Sequence, residues 1–311
     1  MIAEISTRDM SRAEWEKARM GSVGGSDAAA IVGLSEYATP YSLWAEKTGR
    51  VIPEDISQKE AVRLGNDLED YVAHRFMEKT GKKVIRKNAI LKNDLYPWAH
   101  ANVDRLVVGE DAGLEIKTTS ALNLRKFKGK EFPEKYYSQC VHYLAVTGRK
   151  KWYLAVLVLG VEFKTYELER DEDEIAALMD MERDFWEHVK DGTPPGVIGL
   201  DADSETIQAL YPESNGESIA LFGRDAELAH REMLKEQIKT LEQQVAVIDQ
   251  RIQQDMGAAE VAREGMWRVT WKSCVRSTFD RKRFEADHPG LIDAYMKTSN
   301  SRRFEVRKER A

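Results

Sequence analysis

Apolar positions in the first 200 residues follow two rhythms. Helical spacing runs through about residue 82: in SRAEWEKARM (11–20), in the segment after the glycines of GSVGGSDAAAIVG (21–33), in PYSLWAEKTG (40–49) and in RLGNDLEDYVAHRFMEKTG (63–81). Two of these end in Thr-Gly, a helix stop. Strand-like runs follow at 83–91, 102–108 and 113–117, with turn residues between them. Pro133 then opens EKYYSQCVHYLAVTG, a helix with proline in its first turn and glycine past its end. KWYLAVLVLG is apolar throughout, as a strand covered on both faces would be, and VEFKTYEL alternates like its partner. An acidic helix at 171–190 closes this part before Pro-Pro-Gly.

From residue 200 the pattern changes. DADSETIQALYPESNGE reads as loop, and a long polar helix spans 225–256. Within it Leu234, Ile238, Leu241, Val245, Ile248 and Ile252 alternate spacings of four and three, a coiled-coil seam of nearly three heptads. The seam suits packing within the protein or its oligomer, or recruitment of a partner. A basic tail of mixed strand and helix pieces follows. The expected division is therefore a domain at 1–199 and a C-terminal region at 200–311.

Composition is that of a globular protein, with 42% hydrophobic and 32% charged residues. The longest apolar run, at 152–161, is about half of a membrane span, and the N-terminus lacks the regions of a signal peptide, so a cytoplasmic protein is expected. Cys140 and Cys274 form no C-x-x-C pair, which excludes a four-cysteine metal centre and leaves oxygen as the donor for any metal. Net charge is −6, but signs segregate: residues 122–151 hold eight Lys or Arg against two acids, and residues 162–187 eleven acids against three bases. Such a chain could grip a polyanion in one groove without coating it everywhere.

The stretch DRLVVGEDAGLEIKT (104–118) carries the chemistry. A hairpin turn centred between Gly109 and Glu110, or one pair further on, sets Asp104 opposite Glu115 or Lys117, and alternation puts Glu115 and Lys117 on the face of Asp104. Ile116 would then point into the core, with its carbonyl near the cluster. Two carboxylates and a carbonyl form a hard-oxygen site for Mg²⁺, with Mn²⁺ as an alternative, and a lysine beside them can orient or deprotonate a water or neutralise phosphate charge. By spacing alone, the same residues also suit a solvated cross-strand ion pair. In RMGSVGGSD the glycines permit close approach of an anion, and the helix after them would offer free N–H groups to a phosphate.

Asp104, ten intervening residues and Glu115-Ile116-Lys117 resemble the motif of the PD-(D/E)XK nuclease superfamily, with Val103 where a proline often stands. GSVGGSDAAAIVGLSEYATPYSLWAEKTGR, RLGNDLEDYVAHRF, GLEIKTT and YYSQCVHYLAVTG, in this order, are similar to the YqaJ-type phage recombinase nucleases of the lambda exonuclease type, over roughly residues 10–200. The resemblance implies an α/β fold, a restriction-endonuclease-like core of a central mixed sheet flanked by helices, with a smaller C-terminal helical and strand region. It implies a metal-dependent 5′-to-3′ double-stranded DNA exonuclease that leaves 3′ overhangs for phage-type recombination. Its expected partners are DNA ends, a single-strand annealing protein and copies of itself, a trimer first, in a bacterial cytoplasm.

The resemblance also implies residue roles. Glu69 would complete the metal site, directly or through water, for two ions. Gln139 would reach the active site, with Tyr143 on the same helix face for packing or DNA contact. Arg19 and Ser26, with Gly25, would hold a 5′-terminal phosphate; Asn102 stands where these nucleases have a serine, and Arg125 would add a cation. Lys126, Lys128 and Lys130, with Lys135, would meet backbone phosphates without reading sequence. The rival readings are an endonuclease or repair nuclease of the same superfamily and a silent DNA-end-binding scaffold.

Overall fold

A computed structural model describes residues 1–127, 131–297 and 300–308, apart from the Lys126 side chain. It divides into two units, Met1–Pro212 and Glu213–Ala311. The first begins with β1 (Ile2–Ser6) and α1 (Arg12–Met20). Ser11 caps α1 in a capping box, its hydroxyl accepting from the Glu14 N–H while the Glu14 carboxylate accepts from the Ser11 N–H. Next come β2 (Val23–Gly24), α2 (Gly25–Ile31), α3 (Pro40–Lys47) with proline at its start, and α4 (Glu60–Thr80). Gly81 ends α4 at φ 72°, where an L side chain would be strained.

The strands follow as β3 (Val84–Arg86), β4 (Ala89–Asn93), β5 (Ala99–Asn102), β6 (Arg105–Val107) and β7 (Ala112–Thr119). A 3-10 helix (Ala121–Phe127) leads to α5 (Glu134–Thr147), β8 (Lys151–Val158), β9 (Glu162–Glu169), α6 (Glu172–Asp191) and α7 (Asp201–Leu210).

Two of the expected runs break where the chain changes sheet. Residues 83–91 divide into β3 and β4, and the run at 102–108 divides at Val103 and Asp104 between β5 and β6. The single central sheet thus becomes two. A five-stranded sheet has the order β3-β6-β7-β8-β9, mixed because β7 and β8 are parallel and the other pairs antiparallel. A four-stranded sheet has the order β1-β4-β5-β2. The apolar β8 is covered on both faces, as its composition predicts. Tyr153 and Ala155 pack with Val72, Ala73 and Phe76 of α4, whereas Trp152 packs with Val141 and Leu144 of α5.

The loop expected after residue 200 contains α7. Few apolar residues mark it, because what anchors it is a buried carboxylate. Asp203, 2% exposed, accepts from the Thr39 hydroxyl at 2.5 Å and from the Ile198 and Gly199 N–H groups at 2.7 and 2.8 Å. The helix therefore belongs to the first unit, which extends past the expected boundary at 199.

The second unit holds α8 (Asp225–Met256), a β10 (Val261–Glu264) and β11 (Trp267–Thr270) hairpin, and α9 (Arg281–Asp287). Leu234, Ile238, Leu241, Val245 and Ile248 of the seam are exposed within it. Among the described residues no helix is long and apolar enough to cross a membrane.

Candidate active site

The register of β6 on β7 decides where the acidic groups lie. Arg105 pairs with Leu114 and Leu106 with Gly113, so Asp104, at the bend preceding β6, stands opposite Glu115. Ile116 points into the α4 core, 7% exposed, and Glu115 and Lys117 point to the other face, as alternation requires. The Ile116 N–H donates to Asp104 Oδ2 at 2.8 Å. In extended backbone the carbonyl of a residue projects to the same side as its N–H, so the Ile116 oxygen also faces this cluster.

These groups form a crowded charge set. Lys117 Nζ lies 2.5 Å from Glu115 Oε1. Burial first, and then the charge of Glu115, holds the Asp104 carboxyl well above the usual carboxylate range. Burial works against the Lys117 ammonium, but Glu115 and Asp104 more than offset it and raise its pKa. The second Glu115 oxygen, Oε2, is buried without a hydrogen-bond partner. An orphaned carboxylate oxygen, an adjacent carboxyl and a carbonyl fit a hard divalent cation. Among the described residues no three His, Cys, Asp or Glu side chains cluster as a metal site.

Gln139 and Tyr143 reach this cluster from α5. The Gln139 amide N–H₂ donates to Glu115 Oε1 and to the Tyr143 hydroxyl, both at 2.8 Å. A Cβ on Gly25 would lie 2.5 Å from the Tyr143 ring, so glycine there is a packing requirement as well as a turn. Glu69, on α4, is engaged: its Oε1 accepts from Arg105 Nη1 and, at 3.2 Å, from Arg86. Its charge still raises the Asp104 pKa.

Arg105 is a residue that the sequence reading passed over. It is 3% exposed, donates to the Asp104 carbonyl at 2.8 Å and to Asp70 at 2.5 Å, and so ties α4 to the bend carrying Asp104. The available signal was an arginine inside the apolar run VDRLVV.

The turn between α1 and α2 brings Arg19 and Ser26 together. Arg19 Nη2 donates to the Ser26 hydroxyl at 3.0 Å, and its guanidinium lies 4.4 Å from the centre of the Trp15 ring. Beneath them Lys47 is paired to Asp27 at 2.7 Å. Burial opposes ionisation of Asp27, but Lys47 and the Gly24 N–H outweigh it and hold the carboxyl below its ordinary range. Asn102 ends β5 and is half-buried, and Arg125 is exposed on the 3-10 helix. Lys128, Lys130 and the side chain of Lys126 lie outside the described residues.

A family model, the YqaJ-like viral recombinase domain, matches residues 14–150. An uncharacterised protein, YqaJ, of Bacillus subtilis (strain 168) is 40% identical over 304 residues, covering 96% of this chain and 95% of its own. The chain belongs to the YqaJ-like viral recombinase family. Among solved structures, LHK-Exo, an alkaline exonuclease of Laribacter hongkongensis, is similar in fold. Its complex with dAMP is 21% identical, with a TM-score of 0.51 over 58% of this chain and 94% of that one. Over that part, the YqaJ-like chain shares the mixed α/β fold of that structure.

Proposed function

We propose that this chain is a metal-dependent 5′-to-3′ exonuclease acting on double-stranded DNA ends and leaving 3′ single strands for an annealing protein. The observation that carries the reading is the convergence of Asp104, Glu115 and Lys117 on one face of the β6–β7 ribbon, with Gln139 donating to Glu115. Asp104, Glu115 and the Ile116 carbonyl would hold Mg²⁺ or Mn²⁺, with Glu69 contributing directly or through water; two ions are expected. Bound there, the ion supplies Lewis-acid polarisation of the phosphate and a more acidic water.

The residues of the chain do the rest. Lys117, 2.5 Å from Glu115, would orient or deprotonate the attacking water or neutralise phosphate charge. Gln139 fixes the rotamer of Glu115. Arg19 and Ser26 hold the 5′-terminal phosphate through charge-assisted hydrogen bonds, and each cut regenerates the same group on the next nucleotide, which gives the reaction its direction. A homotrimer remains the expected assembly.

The test is digestion of linear duplex labelled at either end, with and without 5′-phosphate, beside closed circular DNA. Expected are Mg²⁺-dependent loss of the 5′ label, faster with phosphate, and an intact circle. Cutting of the circle would instead favour an endonuclease; no cleavage with any divalent ion would leave an end-binding protein.

A further inference from the structure

Lys47, the last residue of α3, is nearly enclosed, its side chain 6% exposed. The ammonium has three donors and uses all of them: Asp27 Oδ2 at 2.7 Å, the Ser22 carbonyl at 2.9 Å and the Arg19 carbonyl at 3.1 Å. Those acceptors are not scattered. Arg19 is in the last turn of α1, Ser22 lies in the connection, and Asp27 is in the first turn of α2. One buried cation therefore stitches both sides of the turn whose outer surface carries Arg19 and Ser26. Asp27 Oδ2 also accepts from the Gly24 N–H at 2.9 Å, so the same carboxylate closes the start of α2.

The arrangement has an electrostatic consequence as well. Asp27 follows Ser26 directly, and an unpaired carboxylate there would repel a phosphate dianion. Lys47 neutralises it through their 2.7 Å ion pair, so the Arg19 guanidinium acts on the anion without opposition. We propose that Lys47 is a positioning residue for recognition of the 5′-terminal phosphate, setting the Arg19–Ser26 spacing and cancelling the Asp27 charge. This inference rests on the reading of Arg19 and Ser26 as the phosphate site.

The experiment uses the full chain with Mg²⁺ and a duplex blocked at one end, carrying either 5′-phosphate or 5′-hydroxyl at the other. The quantity read is the ratio of kcat/KM on the two ends, for the parent, Lys47→Met and Arg19→Ala. Lys47→Met should lower the ratio about tenfold, the low end of what losing a supporting partner costs at metal sites, and should do so through KM on the phosphorylated end. Equal loss on both ends, or an unchanged ratio in a folded variant, overturns the proposal. Lys47→Met orphans a partly buried carboxylate, so Lys47→Met with Asp27→Asn is the companion; it removes the pair as a unit and should show a smaller but clear fall, since the Asp27 charge is gone while the two carbonyls still lose their staple. An unchanged ratio in that folded double variant is equally fatal. A ratio that collapses in Arg19→Ala but not in either Lys47 variant sinks Lys47 alone. A parent ratio near one, or no change in Arg19→Ala, sinks the phosphate reading and Lys47 with it.

Discussion

The β6–β7 ribbon and the α1–α2 turn are both built from charged groups at the edge of a core, yet their charges are in opposite states. On the ribbon, register forces Asp104 against Glu115, one lysine is shared between them, and a buried carboxylate oxygen is left without a donor. In the turn, a partly buried carboxylate and a nearly enclosed ammonium meet each other with every ammonium donor used. The first site leaves a buried carboxylate oxygen without a donor, which invites a cation. The second presents Arg19 outward over a neutralised floor, which invites an anion. A duplex end offers both, with a metal on the linkage to be cut and a phosphate at the terminus.

The largest expected effect is on the ribbon. Lys117→Ala removes the cation beside Glu115 and should slow Mg²⁺-dependent release of the 5′ label by at least about a hundredfold, the scale of a lost positioning or charge-stabilising group. A loss under tenfold would move the chemistry away from this lysine. In the turn the comparable change acts on folding. Asp27→Asn leaves Lys47 buried without its counter-ion, and breaking such a pair costs about 3 kcal/mol, to be read from the denaturant midpoint. The sign follows from the lowered pKa of Asp27: its contribution is present above the ordinary carboxylate range and lost as pH falls through the folded value.

How much of this was readable without coordinates depended on whether backbone or side chains did the assembling. The Asp104, Glu115 and Lys117 set follows from period-two alternation once the turn is centred, because register is a local property of a short ribbon. That Gln139 and Tyr143 share a face follows from helix spacing, whereas the reach of Gln139 to the site came from the family resemblance. Lys47 and Arg105 could not be found that way, since their partners lie on other elements and nothing periodic marks them. The same holds for α7, held by Asp203 rather than by an apolar stripe, and for the break at Asp104, where one strand-like run passes between two sheets. The helices and the apolar β8 were plain because burial wrote them in spacing and composition.

Below the turn lies a second buried pair of titratable groups that sharpens the contrast. His100, 1% exposed, shares a hydrogen bond with the Ser22 hydroxyl at 2.9 Å, and its Nε2 is buried without a partner. Burial first, and then the charge of His142, lowers its pKa to about 3. His142, by contrast, is held above its ordinary value because Glu182 at 2.8 Å outweighs burial. His100 is thus neutral in the fold and protonated in the unfolded chain below pH ~6.5, so its contribution is present above that value and is lost as pH falls toward 3. His100→Gln should flatten the acid limb of the stability profile by about 1.4 kcal/mol per pH unit between pH ~6 and ~4. An unchanged slope would mean that this imidazole is not held neutral.

The smallest effect is the most direct test of the difference between the sites, because the same substitution should have the opposite sign. Asp104 has its pKa raised, so the folded protein without metal holds a proton there that the unfolded chain releases; its contribution to stability falls as pH rises above the ordinary carboxylate range. At pH ~8, with metal chelated, Asp104→Asn removes that burden and should stabilise the fold slightly, read as a small rise in the denaturant midpoint. Added Mg²⁺ should then raise the melting temperature of the parent but not of the variant, because ligand binding stabilises only a fold that retains its site. Destabilisation by Asp104→Asn in the chelated protein would show that the ribbon, like the turn, is already satisfied, and that no cation is needed to hold its carboxylates together.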